Sequence, residues 1–579
     1  MFLGEEDYDA VSLFFYRDSI QEIETMASEG DQYVVDQALE QQNNDPLFQA
    51  KRYAYIIDSA NQGGSFSGQM KFDLNTLSSQ SQWVDLAEGR VEFPIRIRID
   101  SNGGTSAEIT GNEFMATIKN GFHQFVDQVQ VELSSTTIQT SQIFTNIDTT
   151  FKMLTEWSED EWKKYGPSLG LGLDDVDVTS DTTASALDSL DNNAQVVSTS
   201  AAGRCGFDVT GARNPGYKDR ARMLNNGTVL GLLGRSILGT QQISSCAKSN
   251  VAVATVAANT AGTAFVLYAL AQVRLKDVSD VISKLPPLKN CRGFITVSYN
   301  SSEHTLTAGA TPATSLAVSN RNLYGRCAPA VADSGTGPSN APISANANWT
   351  MRAEVSGINL NVGSAQPVST TARLVCPYYV ANPTIDRALS MKKTIRYVER
   401  FVTEFSIPAN GNVNQTLSPG IRNPKKLVLY PYFTGAGSSG NTGFLANPLL
   451  SPFDGCPATT SPFAALSKWQ VIVGGQPMFQ QPVDSDYEVF LQEVSKTGLD
   501  GGLNVQQGTG VLDQRKWNQL YRYHCVDIGR RLGGDDGSSK AVQVSLTNST
   551  NCPMNIIAII HYEREIIVDT ATSMVSQMM

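Results

Sequence analysis

The stretch that decides the fold is IKNGFHQFVDQVQVELSSTTIQTSQIFTNI, residues 118–147. Successive side chains of an extended strand point to opposite faces. Val129, Val131 and Leu133 therefore fall on one face, and the amide and carboxylate side chains between them fall on the other. This alternation predicts a half-buried β-strand.

The same stretch then turns back on itself. Ser134-Ser135 leads into residues 136–140, which are rich in β-branched side chains yet polar enough for a strand with one wet face. We therefore predict a hairpin. Its titratable side chains are His123, Asp127 and Glu132, and we assign the hairpin an architectural role and no catalytic one.

Length and composition bound the architecture. With 579 residues the chain exceeds a single hydrophobic core, and we interpret it as two large domains, with three small ones as the alternative. Charged residues make up 17% of the chain and glycine is abundant at 47 residues, a balance that favours many strands joined by polar loops. Strands without alternating helices favour sandwiches or barrels over a βαβ sheet. The predicted fold class is all-β.

The formal charge is unevenly distributed. The first 50 residues hold 12 Asp and Glu and one Arg, so they carry −11 of the net charge of −12. The rest of the chain is nearly neutral and offers no broad basic face for phosphate neutralisation, which supplies most non-specific nucleic-acid affinity. We therefore expect no direct binding of DNA or RNA.

The N-terminal segment, residues 1–50, is predicted to form an acidic arm with one or two helices. Val11, Phe14 and Phe15 begin a partly helical apolar stripe among its carboxylates. A disordered, solvated tail is the alternative. The segment starts with acidic residues where a signal peptide needs basic ones, and no apolar run reaches the roughly 20 residues that span a bilayer. We expect a soluble chain without a secretion signal.

The first domain is predicted over residues 51–385, with long loop insertions at about 170–262 and 301–370. Its clearest strand is Val91–Asp100, and Phe265–Leu275 and Phe294–Tyr299 are further strands separated by a short helical turn. Phe151, Leu154 and Trp157 at helical spacing, with the Glu159 to Lys163 pair, predict one short helix that ends at Gly166-Pro167. The segment from Cys376 to Met391 is interpreted as a connector to the next domain.

The second domain is predicted over residues 386–579 as a renewed series of strands. Gly, Pro, Ser and Asn fill the spacers between them. The predicted strands are Thr394–Ile407, Lys426–Tyr432, Trp469–Val473, Tyr521–Ile528, Ala541–Leu546 and Asn555–Val568.

Candidate chemistry is sparse. The histidines are scattered at His123, His304, His524 and His561. Only His524 adjoins a possible co-ligand, Cys525, and neighbours on a strand point to opposite faces. The sequence from Asp175 to Thr179, DVDVT, matches the spacing of a phosphotransferase nucleophile motif but lacks the apolar strand that should precede it; a weak Ca²⁺ site is the second interpretation. No P-loop, nucleophile elbow or HExxH motif is present.

Other reactive or aromatic residues are given structural roles. The eight cysteines stand singly, which favours reduced, buried thiols, with disulfides as the alternative. Tryptophans are interpreted as core or interface anchors: Trp83, Trp157, Trp162 and Trp517. We therefore predict no catalytic residue, no cofactor-binding residue, no cofactor and no metal site, and hence no enzyme.

Several segments in one order resemble the double jelly-roll major capsid proteins of polinton-like viruses, adintoviruses and virophages. Together they reach from about residue 51 to the C-terminal strands, and the insertions 170–262 and 301–370 show no family pattern. The matching residues are Tyr55-Ile-Ile-Asp58 with Phe72, Asn120-Gly-Phe to Thr145-Asn-Ile147, Arg274-Leu-Lys-Asp277 with Lys284-Leu-Pro286 and Tyr299-Asn300, and Val526-Asp-Ile-Gly-Arg530 through Asn548 to Tyr562-Glu-Arg-Glu-Ile566.

This resemblance implies two consecutive jelly rolls of about eight strands each and a structural role in the virion. Three copies would form a pseudo-hexagonal capsomer that tiles an icosahedral shell, assembled inside the host cell. Implied partners are further copies of the chain, penton proteins and minor capsid proteins, and the acidic arm would engage a neighbouring capsomer or a basic minor capsid protein.

Two other classes of protein stay open at this point. One is a multi-domain β-sandwich binding or adhesion protein, which would more often carry a secretion signal. The other is a β-sandwich carbohydrate-active enzyme, which needs paired carboxylates about 5 to 10 Å apart in a cleft. No sequence motif proposes such a pair.

Overall fold

A computed structural model provides the structure of the chain. It describes the residues that follow: 48–61, 66–77, 82–102, 114–118, 120–174, 216, 220, 261–308, 316–321, 329–333, 348–357, 371–383, 386, 389–433, 464–496, 510–529, 538–550 and 553–577. The predicted acidic arm up to residue 47, the motif from Asp175 to Thr179, and most of the insertion 170–262 lie outside these residues.

Two compact units divide the chain. One comprises residues 1–51 and 380–388, and its described part holds one end of each of two strands and a turn in which the Asp386 amide donates to the Asn382 carbonyl at 2.9 Å. The other comprises residues 52–379 and 389–579, and the sheets, cores and contacts described below belong to it.

Fifteen of the described strands precede residue 390. They are β1 (Phe48–Ile57), β2 (Gln69–Asp73), β3 (Trp83–Val84), β4 (Arg90–Asn102), β5 (Phe114–Ile118), β6 (Val126–Leu133), β7 (Thr136–Gln139), β8 (Ala261–Arg274), β9 (Leu288–Lys289), β10 (Gly293–Tyr299), β11 (Ser302–Ala308), β12 (Leu316–Arg321), β13 (Pro329–Asp333), β14 (Asn348–Val355) and β15 (Arg373–Ala381).

Nine described strands follow. They are β16 (Lys392–Ile407), β17 (Asn412–Ile421), β18 (Pro424–Phe433), β19 (Leu466–Val473), β20 (Gln476–Pro477), β21 (His524–Asp527), β22 (Lys540–Asn548), β23 (Met554–Asp569) and β24 (Val575–Gln577). The described α-helices are α1 (Thr145–Glu156), α2 (Glu159–Tyr165), α3 (Leu275–Val278), α4 (Asp280–Lys284), α5 (Tyr487–Lys496) and α6 (Gln514–Gln519). Within the described residues, none of the helices combines the length and hydrophobicity needed to cross a membrane.

The first fifteen strands build a sandwich with jelly-roll topology. One sheet contains the path β1–β15–β4–β8, and the facing sheet runs β2–β10–β6–β7. Counted along the chain, these eight strands are interleaved as first, eighth, third and sixth in one sheet and second, seventh, fourth and fifth in the other. This interleaving defines a jelly roll. Strands β3, β9, β11, β12 and β14 extend the first sheet, and β5 pairs with β13 separately.

The second sandwich repeats the same interleaving. Its sheets run β16–β23–β18–β21 and β17–β22–β19–β20, which is again first, eighth, third and sixth against second, seventh, fourth and fifth. In both sandwiches, the strand pairings with a described register are antiparallel. Examples are β16 with β23 and β17 with β22. The predicted all-β fold of two consecutive jelly rolls is therefore confirmed. The boundaries 51–385 and 386–579 stay a prediction.

The opening stretch forms the predicted hairpin. Val129, Val131 and Leu133 of β6 are each 0% exposed, and β6 pairs with β7. Ser134 and Ser135 have φ of 47° and 65°, the positive values that a two-residue turn needs to match the twist of its strands. The hairpin is part of the sheet β2–β10–β6–β7 and supplies its apolar face to the first core.

The single helix predicted around Phe151 is wrong in its extent. Helix α1 already begins at Thr145, inside the opening stretch, and Trp157 interrupts it with an extended backbone at ψ 139°. Ser158 then caps α2 with a capping box to Glu161, which satisfies free amide groups at the start of a new helix. The chain therefore turns between two helices, and the second ends at Tyr165, just before the predicted stop.

The predicted connector from Cys376 to Met391 is also wrong in its first part. Residues 373–381 form β15, the strand that joins β1 to β4 in the first sheet. The sequence did not predict this strand because Pro377 lies within it, and proline cannot donate a hydrogen bond to a neighbouring strand. Its carbonyl still accepts a hydrogen bond from the Asp85 amide at 3.0 Å.

The described part of the predicted loop insertion at 301–370 contains four strands, β11 to β14. Strand β14 pairs with β4 from Trp349↔Ser101 to Val355↔Ile95, and β11 pairs with both β12 and β14. The sequence of β11, SEHTLTA, is too polar to show a clear apolar alternation. Hydrogen bonds between backbones hold such strands in the sheet. These bonds leave no pattern in the hydropathy of the sequence.

Val131 tests the assignment of the core face. Replacing it with Asp places an unpaired charge at a fully buried position, and we expect a loss of about 3 kcal/mol or more in the free energy of unfolding. Gln130→Asp, on the half-exposed opposite face of the same strand, is the matched control and should change stability by roughly 0.5 kcal/mol or less. Denaturant unfolding of both variants measures the difference. Equal stabilities would show that the core face is misassigned.

Candidate functional site: the junction between the two sandwiches

A single long ladder links the two sandwiches. Strands β16 and β23 pair without a break over 16 residues, from Lys392↔Asp569 to Ile407↔Met554. At about 3.4 Å per residue such a ladder is roughly 50 Å long. One end supplies Ile395 and Ile566 to the first core, and the other end supplies Ile407 and Ile556 to the second. The two cores are therefore built partly on the same pair of strands.

The middle of this ladder is buried on both faces. Ile556, Ala558 and Ile560 point into the second core, whereas Ile557 and Ile559 pack in a separate apolar cluster on the other face. That cluster includes Phe151 and Leu154 of α1. Double burial explains why β23 reads as a continuous apolar run, MNIIAII, instead of an alternating one. Helix α1, which follows the hairpin of the first sandwich, covers the outer face of a sheet of the second.

A buried ionic group lies beside this apolar contact. Asp148 of α1 is 3% exposed, and its Oδ1 lies 2.7 Å from Nε2 of His561 on β23. Its Oδ2 lies 3.6 Å from both the Arg400 Nη1 and the Lys152 Nζ. Arg400 also donates from Nη2 to the Thr145 Oγ1 at 2.8 Å. One carboxylate from the first sandwich is thus held by side chains from β16 and β23.

The charges of this group follow from its surroundings. Burial alone would raise the pKa of Asp148, yet His561, Lys152 and Arg400 hold the pKa of this carboxyl well below its usual range. Burial lowers the pKa of His561 to about 4; the Asp148 carboxylate opposes this effect, and the nearby Lys426 and Lys152 add to it. At neutral pH the pair therefore consists of an ionised carboxylate that accepts a hydrogen bond from a neutral imidazole.

A second polar contact crosses the junction at Glu399 of β16. This carboxylate accepts hydrogen bonds from the Thr140 amide at 2.9 Å and hydroxyl at 2.6 Å, just after β7 of the first sandwich. It also accepts from the Tyr562 hydroxyl at 2.9 Å and from Arg564 Nη1 at 2.6 Å. Burial opposes ionisation, but Thr140 and Arg564 lower the pKa of Glu399. The end of the predicted hairpin is thereby fastened to the long ladder.

A third contact brings in the insertion 170–262 through Arg220, which is 1% exposed. Arg220 donates to the Asp174 carboxylate and the Gly172 carbonyl at 2.8 Å each, and to the Ile118 carbonyl at 3.1 Å. Tyr521 of the second sandwich donates its hydroxyl to Asp174 and to Asn120, and burial together with Asp174 raises the Tyr521 pKa well above its ordinary value.

The three histidines whose side chains are described do not converge. His123 is buried with Nε2 at 2.8 Å from the Thr150 hydroxyl, His524 lies against Ser485, and His561 is at the junction. Burial lowers the pKa of His123 and of His524 to about 3. The side chain of His304 lies outside the described residues. In the described part of the chain, no three His, Cys, Asp or Glu residues are placed to hold a metal ion.

The cysteines and tryptophans that can be located are structural. Cys291, Cys376 and Cys525 are buried, and burial raises the pKa of the Cys291 and Cys525 thiols to about 12, which makes them poor nucleophiles. The other five cysteines lie outside the described residues. Trp83, Trp162 and Trp517 are buried as expected, and Trp157 packs partly buried against the junction cluster.

Sequence reasoning missed the junction residues. Asp148, Glu399, Arg400, Asp174 and Arg220 were not singled out, although charges inside apolar runs, as in YVERFV around Arg400, are a signal for buried pairing. Each carboxylate here is engaged by other side chains of the same chain. The arrangement therefore fixes two sandwiches in one relative position and offers no reactive group to a substrate.

Asp148→Asn tests the junction. The change leaves Arg400 and Lys152 without their carboxylate, and removing one member of a buried ion pair costs about 3 to 5 kcal/mol. Denaturant unfolding should show that loss. Glu565→Gln is the matched control, because it removes a carboxylate from Arg396, whose side chain is 70% exposed, and should cost roughly 1 kcal/mol or less. Similar losses in the two variants would contradict a stabilising role for Asp148.

Comparison with known proteins found similar solved structures at low sequence identity. No family model matches the chain, and no curated protein matches it. The chain is similar to the Sputnik virophage structure, with 11% sequence identity over 92% of this chain and 89% of that one and a TM-score of 0.47. It is similar to the mavirus major capsid protein, with 11% identity over 91% of this chain and 90% of that one and a TM-score of 0.41. The PBCV-1 virus capsid is similar at 10% identity, over 93% of this chain and 99% of that one, with a TM-score of 0.41.

Proposed function

We propose that this chain is a major capsid protein whose copies tile an icosahedral virus shell. The observation that carries the proposal is the repetition of one jelly-roll interleaving in both halves of the chain, joined by the β16–β23 ladder. A shell subunit needs a fixed shape more than it needs reactive groups. The junction supplies that fixed shape, since its carboxylates bind cations and hydroxyls of the same chain.

Three copies would place six similar sandwiches around one axis and form a pseudo-hexagonal capsomer. The nearly neutral body supports close packing of copies, because little like-charge repulsion opposes it. Obligate interfaces commonly bury about 2,000 Å² or more. The sandwich flanks would have to supply much of that area, and the long insertions are expected to supply the rest.

The partners of such a capsomer are further capsomers, penton proteins and minor capsid proteins. Its place is the capsid shell of a virion assembled inside a host cell. The acidic segment 1–50, with 12 carboxylates and one Arg, would not attract the genome and is better suited to a basic minor capsid protein or a neighbouring capsomer.

The two alternative functions have weaker physical support. A glycosidase needs two carboxylates facing a cleft about 5 to 10 Å apart. At the junction, Asp148, Glu399 and Asp174 are each buried and engaged by a cation or a hydroxyl, so they cannot act on a saccharide. An adhesion module does not require two sandwiches to share a ladder and a buried ionic junction.

Size-exclusion chromatography with light scattering and electron microscopy of the purified chain test the proposal. We expect a stable trimer of about 190 kDa, three times the 62.6 kDa chain, or closed shells. A lone monomer that cleaves saccharides or binds a cell-surface ligand would contradict it.

Deleting residues 1–45 tests the proposed role of the acidic segment. The trimer should persist, because the jelly rolls begin with β1 at Phe48, whereas assembly into shells should fail. Particle counts by electron microscopy and trimer mass by light scattering measure the two outcomes separately. Normal shells from the truncated chain would show that the segment has no role in assembly.

A further inference from the structure

We propose that His561 is a proton-binding site at which mild acid loosens the junction, releasing helix α1 from the second sandwich while both sandwiches stay folded. The proposal concerns a single chain and does not depend on the capsid function. It rests on the position of the imidazole between the sandwiches, on the charges around it and on a ring nitrogen that is available for a proton.

The imidazole is enclosed and only half satisfied. His561 is 0% exposed, and its Nε2 lies 2.7 Å from the Asp148 carboxylate. Its Nδ1 has no hydrogen-bond partner among the described residues. A buried nitrogen without a hydrogen-bond acceptor nearby has no protein group to stabilise an added proton. Protonation at Nδ1 therefore creates an unpaired N–H as well as a charge.

The surroundings of the ring are already rich in positive charge. Register pairing places Arg400 of β16 on one side of His561 and Lys426 of β18 on the other. Helix α1 adds Lys152, which lies 3.6 Å from Asp148. The charged groups that face this site are Asp148, Lys152 and Glu156 from α1, Glu399 and Arg400 from β16, and Lys426 from β18, with Asp127 and Asp280 acting from further away on Arg400 and Lys152 respectively.

These carboxylates cannot neutralise the additional positive charge of a protonated His561. Glu399 is occupied by Arg564 and Thr140, and Glu156 is mostly exposed at 3.9 Å from Lys426. Asp148 is left as the one buried carboxylate shared among Lys152, Arg400 and a protonated His561. The extra charge is relieved most easily if α1 moves away from the sheet and admits water.

The direction of the pH effect follows from linkage. The pKa of His561 is lowered to about 4 in the closed junction, against 6.5 for an exposed histidine. The open state therefore binds a proton first as the pH falls, and acid favours opening between those two values. From pH 7 to pH 5 the opening equilibrium should rise by about 20-fold. Asp148 titrates below this window and does not contribute to it.

Local opening is expected in preference to global unfolding, because α1 is attached differently on its two sides. Toward the first sandwich, Asn146 donates to the Gln124 side chain at 3.1 Å and Thr150 bonds to His123 and Gln124. Toward the second, the side-chain contacts of α1 are those of Asp148 and Thr145 and the pair of Glu156 with Lys426 at 3.9 Å, and the Leu154 carbonyl accepts a hydrogen bond from the Val511 amide at 3.0 Å. Opening at this contact breaks these bonds and the apolar contact of α1 with β23, whereas separating β16 from β23 breaks a ladder of 16 residue pairs, so the local opening is expected at lower free energy.

Hydrogen exchange measured by mass spectrometry on the full-length chain at pH 7 and pH 5, corrected for intrinsic exchange rates, tests the proposal. In the wild type, amides of α1 should open about 20-fold more at pH 5, while amides of β4 in the first core change little. His561→Gln keeps a hydrogen-bond donor toward Asp148 but cannot be protonated. In this variant the opening of α1 should therefore change by a factor close to one between pH 7 and pH 5.

His524→Gln is the matched control, because this buried histidine lies within the second sandwich beside Ser485, and the response of α1 should persist. Lys152→Gln serves as a second variant should His561→Gln not fold; it removes one of the crowding cations and should shrink the response. The proposal is overturned if the wild type shows no acid response at α1, if either junction variant keeps the full response, or if β4 opens by the same factor as α1.

Discussion

The ladder between β16 and β23 is the constraint on which the rest of the structure depends. Sixteen consecutive residue pairs extend from the core of one sandwich into the core of the other. A jelly roll normally closes on its own two sheets. Here one pair of strands serves both cores, so a slip of one residue in its register would turn apolar side chains away from both cores. The ladder thus joins the two similar sandwiches and fixes their relative position.

The buried ionic contacts determine the relative position of the two sandwiches more than they increase the free energy of unfolding. A buried ion pair contributes little net free energy compared with apolar packing, but breaking it is costly because one charge stays buried. Asp148, Glu399 and Asp174 each meet partners from the other sandwich, so a wrong relative position would leave several charges unpaired. We infer that they select one arrangement of the two sandwiches among the many that apolar contact between α1 and β23 would allow.

Much of the fold could be predicted from the sequence. A strand shows either alternating polar and apolar residues or a continuous apolar run, and both patterns can be seen within a short stretch of sequence. Thr394–Ile407 and Asn555–Val568 were placed within two residues of β16 and β23, and the hairpin after Val126 was placed correctly. Strand β15 was missed because of Pro377, and β11 because its residues are polar. The junction could not be derived, since His561 and Asp148 are 413 positions apart and Thr140 and Glu399 are 259 apart. No local pattern reports such pairings.

In the proposed capsomer, each chain contributes two equivalent sandwiches that are held as one unit. A cryo-electron microscopy reconstruction of the purified oligomer, made without imposed symmetry, tests it most directly. We expect three chains whose six sandwich-shaped densities surround one axis, with the β16–β23 ladder continuous between the two sandwiches of each chain. An oligomer in which the two sandwiches of a chain take variable relative positions, or in which six sandwiches do not surround one axis, would contradict it.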